Sequence, residues 1–104
     1  MLIGHQPRRV AIVGGLRTPF ARSHGAFGGA SNQDLLTAAL GAVVERYGLA
    51  GQRLGEVIGG ATLKHSRDFN LVRESLMSAG LDPQTPGLDI QRACGTSLEA
   101  AVLI

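Results

Sequence analysis

Three short apolar runs, each followed by a stretch with helical punctuation, constrain this chain more than any other feature. "VAIV" (Val10 to Val13) lies between Arg9 and Gly14, "EVIGGATL" begins at Glu56, and Leu88 to Gln91 precede the one cysteine. Apolar runs this short and without alternation fit strands buried on both faces, as in a parallel sheet. Between the first two runs, Leu35/Leu36, Ala39/Leu40, Val43/Val44 and Tyr47 recur at helical spacing. Ser31 with Asp34 forms a capping-box pattern ahead of that helix, and Gly48 stands where a C-terminal glycine belongs. Leu71/Val72, Leu76 and Ala79 mark a second helix, closed by Gly80 and Asp82-Pro83. Gly95 to Ile104 predict a third. The order is therefore β-α-β-α-β-α, an α/β architecture with a parallel sheet and right-handed crossovers. At 104 residues it is one small domain.

Two segments do not fit a self-sufficient domain. "GGLRTPFARSHGAFGGAS" is a long glycine-punctuated loop, and such loops are usually functional or tied down by a neighbour. The third helix is apolar nearly all round, interrupted only by Thr96, Ser97 and Glu99, as in helices buried inside something larger. It also carries no stop signal, so the expectation is a chain truncated within that helix. Gly59 and Gly60 predict close approach of another backbone to the second strand.

Charge excludes some functions. Ten basic and eight acidic residues leave a net charge of +2, with no Lys/Arg stripe interleaved with aromatics, which argues against nucleic acid. No apolar run approaches membrane-spanning length. "MLIGHQPRR" lacks the order of a signal peptide, and one cysteine makes no internal disulfide, so the expected location is cytoplasmic.

Cys94 is the candidate for chemistry. In a parallel sheet, sites collect at the carboxyl ends of strands, and Cys94 follows the third run directly. Gly95 permits a sharp turn, and free N–H groups at a helix start can hold a thiolate or a developing oxyanion. A helix end favours an anion by roughly 0.3–1 kcal/mol, about 2 at best. An ordinary thiol is only about 3% ionised at neutral pH, so a competent nucleophile needs a second group, a histidine for preference. His5 lies in the leading segment and His24 in the glycine-rich loop, whereas His65 follows the second strand and could approach Cys94. The competing reading makes Cys94 a small buried hydrophobe. Two other motifs fail. Gly14 to Pro19 lack the spacing of a dinucleotide-binding turn, and Arg92 and Thr96 occupy the glycine positions of a hydrolase nucleophile elbow.

Taken together, the motifs resemble the thiolases, the acetyl-CoA acetyltransferases and 3-ketoacyl-CoA thiolases. "VAIVGGLRTPFAR" is similar to the family's first strand and its Arg-Thr-Pro-Phe loop, here Arg17 to Phe20. Asp34-Leu35 open the matching first helix, "FNLVRE" is similar to the Asn-x-x-Arg helix start, and "RACGTSLEA" to the segment with the acyl-accepting cysteine. The motifs run in order from about Arg8 to the last residue. Ser97 departs from the glycine that many members carry and adds a side chain beside the nucleophile.

The resemblance implies the start of a three-layer αβα half-domain, incomplete here, with a second, similar half beyond it. It implies that Cys94 accepts the acyl group, with its backbone N–H as an oxyanion donor. The substrate would be a coenzyme A thioester, with no permanently bound cofactor and no metal. An activating histidine and a second acid/base cysteine would lie in the other half, leaving the fragment alone inactive. Subunits would pair as a homodimer or homotetramer through the strand Leu88 to Gln91. Alternatives within reach are a β-ketoacyl synthase of the same superfamily, a non-catalytic thiolase-like binding or scaffold module, and a thiol redox site, which lacks a resolving cysteine.

Overall fold

The computed structural model describes residues 8–104. In chain order the elements are α1 (Asn32–Tyr47), β1 (Val57–Gly59), α2 (Leu71–Ser78), β2 (Gly87–Asp89) and α3 (Thr96–Leu103). β1 and β2 pair in parallel, with Val57 opposite Gly87, Ile58 opposite Leu88 and Gly59 opposite Asp89. The Val57 N–H to Pro86 carbonyl bond and the Ile90 N–H to Gly59 carbonyl bond, both 2.9 Å, extend the ladder at its two ends. Both strands are shorter than the apolar runs suggested. Beyond Gly60 the chain leaves the sheet, and beyond Ile90 it turns toward α3.

The strand expected at Val10 to Val13 is not formed. These residues carry no ladder partner among the described residues, and Val10, Ile12 and Val13 are 77%, 94% and 80% exposed. A strand exists only by pairing, and an apolar run alone cannot supply the neighbour. The observed order is therefore α-β-α-β-α, with the β1-α2-β2 unit as its centre.

Four devices order α1 and that unit. The capping box at α1 is complete: the Asp34 N–H donates to the Ser31 hydroxyl at 3.1 Å, and the Ser31 N–H donates to the Asp34 carboxylate at 2.8 Å. Gly48 closes α1 in the left-handed region at φ 63°. The Asn-x-x-Arg motif fastens α2 to the segment entering β2. Asn70 accepts from the Arg73 N–H and donates to the Gly87 carbonyl, each at 2.9 Å, while the Arg73 guanidinium donates to the Thr85 carbonyl at 2.9 Å. The Asp89 carboxylate, at the end of β2, accepts the Leu71 and Val72 N–H groups at 2.9 and 2.7 Å and pairs with Lys64. An anion thus satisfies the orphan donors at the start of α2.

The core is a small cluster of Val44, Val72, Leu76 and Leu81, with Leu36, Leu49, Leu54, Val57 and Ala79 packed against it. A Cβ at Gly59 would meet the Val72 side chain on α2, whereas one at Gly60 would meet Ile90 and Thr96 toward α3. Successive residues of an extended chain face opposite ways, so α2 and α3 flank the sheet on opposite sides, the three-layer arrangement. Thr96 and Ala100 are buried, but Leu98, Val102, Leu103 and Ile104 leave the other face of α3 open.

The α1 cap yields a test of its own. The Ser31 N–H, then the Ser31 hydroxyl, with Arg67 adding its charge, hold the Asp34 carboxyl below its ordinary range. A depressed folded-state pKa stabilises the fold fully above the ordinary carboxylate value of about 3.9, and the contribution disappears as pH falls through the lower folded value. The stability difference between the parent and Asp34→Asn should therefore be constant from about pH 6 to about pH 5 and shrink below about pH 4. Ser31→Ala should cost about 1 kcal/mol near neutral pH in a denaturant titration.

Candidate active site

β2 delivers the chain to a tight elbow. After Asp89 and Ile90, residues 91–95 turn and α3 begins at Thr96, with Gly95 as an N-cap that contributes no side-chain bond. Ala93 takes a positive φ of 43°, a conformation that costs a non-glycine residue roughly 1–2 kcal/mol. The surrounding bonds hold it there. The Ala93 N–H donates to the Gln91 side-chain oxygen at 2.8 Å, and the Gly95 N–H to the Arg92 carbonyl at 2.8 Å. The Ala93 carbonyl accepts from the Thr62 hydroxyl at 3.0 Å, the Thr96 hydroxyl at 2.8 Å and the Thr96 N–H at 3.3 Å. The Thr96 hydroxyl also accepts from the Arg92 N–H at 2.9 Å. An Arg92–Glu99 ion pair at 2.9 Å spans the turn and the first part of α3; at this exposure it contributes at most about 1 kcal/mol.

Cys94 stands on this elbow, exposed. Among the described residues its side chain is solvent-facing rather than packed in the core. Its backbone N–H donates to no acceptor among the described residues. A thiol at the carboxyl end of a parallel strand, a free N–H on the same residue and a helix start immediately behind it have the parts of an acyl-transfer site.

The histidines do not complete it. His65 lines an open cavity of about 350 Å³ with Gly28, Gly29, Ser31 and Arg67, and Cys94 is not part of that wall. His24 lines a neighbouring cavity of about 420 Å³ with Thr18, Pro19, Phe20 and Leu35. His5 lies outside the described residues. No hydrogen bond joins His24 or His65 to Cys94 among the described residues. In the Arg-Thr-Pro-Phe loop, the Arg17 guanidinium lies 4.4 Å from the centre of the Phe20 ring. No group of His, Cys, Asp and Glu side chains among the described residues forms a metal-binding cluster. No helix among them is long and apolar enough to cross a membrane.

Residues 10–104 match the family model described as "Thiolase, N-terminal domain". The chain belongs to the thiolase family. It is 33% identical over 99 residues to the 3-ketoacyl-CoA thiolases of Salmonella paratyphi A and Shigella flexneri, which covers 95% of this chain and 23% of each relative. The chain thus spans about a quarter of the length of these curated relatives. Among solved structures it is similar to the acetyl-CoA acetyltransferase of Bacillus anthracis. The TM-score is 0.69 at 26% identity, over 76% of this chain and 20% of the other. The thiolase-like α/β architecture inferred from the motifs is thereby established for this chain.

Residues that sequence reasoning passed over carry much of this geometry. Thr62 lies 31 positions before the carbonyl it binds, and Asp89 caps a helix that starts 18 positions earlier. Neither pairing has a local pattern. The pairing of β1 with β2 brings the segment after β1 beside the elbow, and the docking of α2 on β2 brings Asp89 to the start of α2.

Proposed function

We propose that this chain is the N-terminal part of an acyl-CoA thiolase in which Cys94 is the acyl acceptor. The observation that carries the reading is the exposed thiol on an elbow whose own N–H has no acceptor among the described residues. The Cys94 sulfur, once its proton has passed to a base, attacks the keto carbon of a 3-ketoacyl-CoA. A carbon–sulfur bond forms and the carbonyl electron pair moves to oxygen, where the Cys94 N–H stabilises it. Collapse breaks the bond between the α- and β-carbons, and the departing acetyl-CoA carbanion takes a proton. The acyl-enzyme then passes its acyl group to the sulfur of coenzyme A. Run in reverse, the same steps are a Claisen condensation. This is covalent catalysis with ping-pong order.

The base that activates Cys94, and the acid that protonates the leaving carbanion, belong in this reading to a second half of the polypeptide. That assignment accords with the match to a quarter of each relative and with the histidines standing apart from Cys94. The same half would cover the open apolar face of α3. The segment alone is then inactive. Subunits would associate through the outer edge of β2, which has no ladder partner among the described residues. A cytoplasmic setting and fatty-acid metabolism fit this chemistry.

The test is to mix the full-length polypeptide with acetoacetyl-CoA, quench in acid, digest and map the acyl group by mass spectrometry. An acetyl mass on the peptide containing Cys94 is expected. Acylation elsewhere, or none, would overturn the assignment. A β-ketoacyl synthase would instead accept acyl groups on Cys94 without cleaving acetoacetyl-CoA in the presence of coenzyme A.

A further inference from the structure

We infer that Thr62 and Thr96 are positioning residues that aim and polarise the peptide group between Ala93 and Cys94, making the Cys94 N–H an oriented oxyanion donor. The inference rests on the acyl-acceptor reading of Cys94 and deepens it. The Ala93 carbonyl and the Cys94 N–H belong to one planar unit, and no peptide bond among the described residues is cis. In a trans peptide the two point in opposite directions, so whatever fixes the carbonyl fixes the N–H. Two hydroxyls and one N–H converge on that carbonyl, at 3.0, 2.8 and 3.3 Å. The N–H on the far side of the same plane has no acceptor among the described residues.

The two threonines come from different parts of the fold. Thr62 is exposed and follows β1, whereas Thr96 is buried in the first turn of α3. Between them they hold the peptide from both neighbours of the elbow. The positive φ at Ala93 turns the next peptide into this orientation, and the Gln91 side chain pins the preceding N–H. Donors on a carbonyl draw electron density from the amide and strengthen its N–H, by about 10–30% per bond. Removing one oxyanion donor costs about 10²–10³ in rate. Taking 10–30% of that on the logarithmic scale gives about two- to eight-fold per polarising bond.

Thr62→Val removes one hydroxyl at an exposed position with little change of shape, and Thr62→Ser restores the hydroxyl. In the full-length polypeptide, single-turnover acylation of Cys94 from acetoacetyl-CoA should slow about two- to eight-fold in Thr62→Val and recover in Thr62→Ser. Alkylation of the same thiol by iodoacetamide develops no oxyanion and should proceed at the parent rate in both variants. Acylation by Thr62→Val at the parent rate would overturn the inference. So would a parallel loss of alkylation, which would place the effect on the thiol rather than on the N–H. A parent protein whose Cys94 takes no acyl group would overturn the functional reading and this inference with it, and the parent measurement separates that failure from the others.

Discussion

Cys94→Ser in the full-length polypeptide is expected to abolish the acyl-enzyme and to lower kcat on the order of 10⁶-fold, the scale seen when a covalent nucleophile is removed. Serine has nearly the same shape, and residue 94 is exposed, so the fold has no reason to change. What changes is the ease of forming the anion. A thiol is already a few per cent ionised at neutral pH and is intrinsically nucleophilic, whereas an alcohol needs a base engaged throughout the attack. The start of α3 contributes roughly 0.3–1 kcal/mol, about 2 at best, toward an anion, which is far short of that difference. The oxyanion donor survives the substitution, so a residual rate above solution is expected, and substrate affinity should fall little. The measurement is steady-state kcat and KM together with acyl mapping, beside a melting curve that matches the parent. Retained acyl transfer at more than about a thousandth of the parent rate would sink the assignment of Cys94 as nucleophile.

What was legible in the sequence was what is local. Ser31 and Asp34 are three residues apart and meet as expected. Gly48 takes the left-handed cap conformation, and Cys94 falls between a strand end and a helix start because those elements adjoin it in sequence. What was not legible needs a partner at a distance. Val10, Ile12 and Val13 have the composition of a buried strand, but a strand exists only where it pairs, and these residues pair with neither β1 nor β2. His65 follows β1 and so looked able to reach Cys94; the chain instead carries it to the wall formed by Gly28, Gly29 and Ser31. Thr62, close by in sequence, is the residue that reaches the elbow. Sequence order placed the right segment beside the cysteine and could not select the side chain within it. The double glycine at 59 and 60 was half legible. Close approach was expected of both, but Gly59 meets a side chain and Gly60 meets backbone.

That difference predicts unequal costs for two substitutions one position apart. A Cβ on Gly60 would lie 1.9 Å from the Ile90 carbonyl oxygen, 3.0 Å from its carbon and 3.2 Å from the Thr96 methyl. The neighbouring Ile90 N–H is bonded to the Gly59 carbonyl at 2.9 Å, so the two chains separate only by breaking the end of the ladder. Overpacking costs about 1–3 kcal/mol and sometimes more, and a lost backbone bond adds about 1. Gly60→Ala should therefore destabilise the full-length polypeptide by about 3 kcal/mol or more. On Gly59 the added Cβ would lie 3.2 Å from a Val72 methyl, which a few tenths of an ångström of side-chain movement relieves, and Gly59→Ala should cost about 1 kcal/mol. Urea titrations of the two variants provide the comparison, and equal costs would show that the Ile90 carbonyl is not the obstacle. The strain also has a chemical consequence. Moving Ile90 and Thr96 apart from Gly60 shifts the segment that carries Ala93 and the hydroxyl that binds its carbonyl. Any Gly60→Ala protein that remains folded should thus acylate Cys94 more slowly than Gly59→Ala, because the same backbone contact that seals the sheet also sets the aim of the Cys94 N–H.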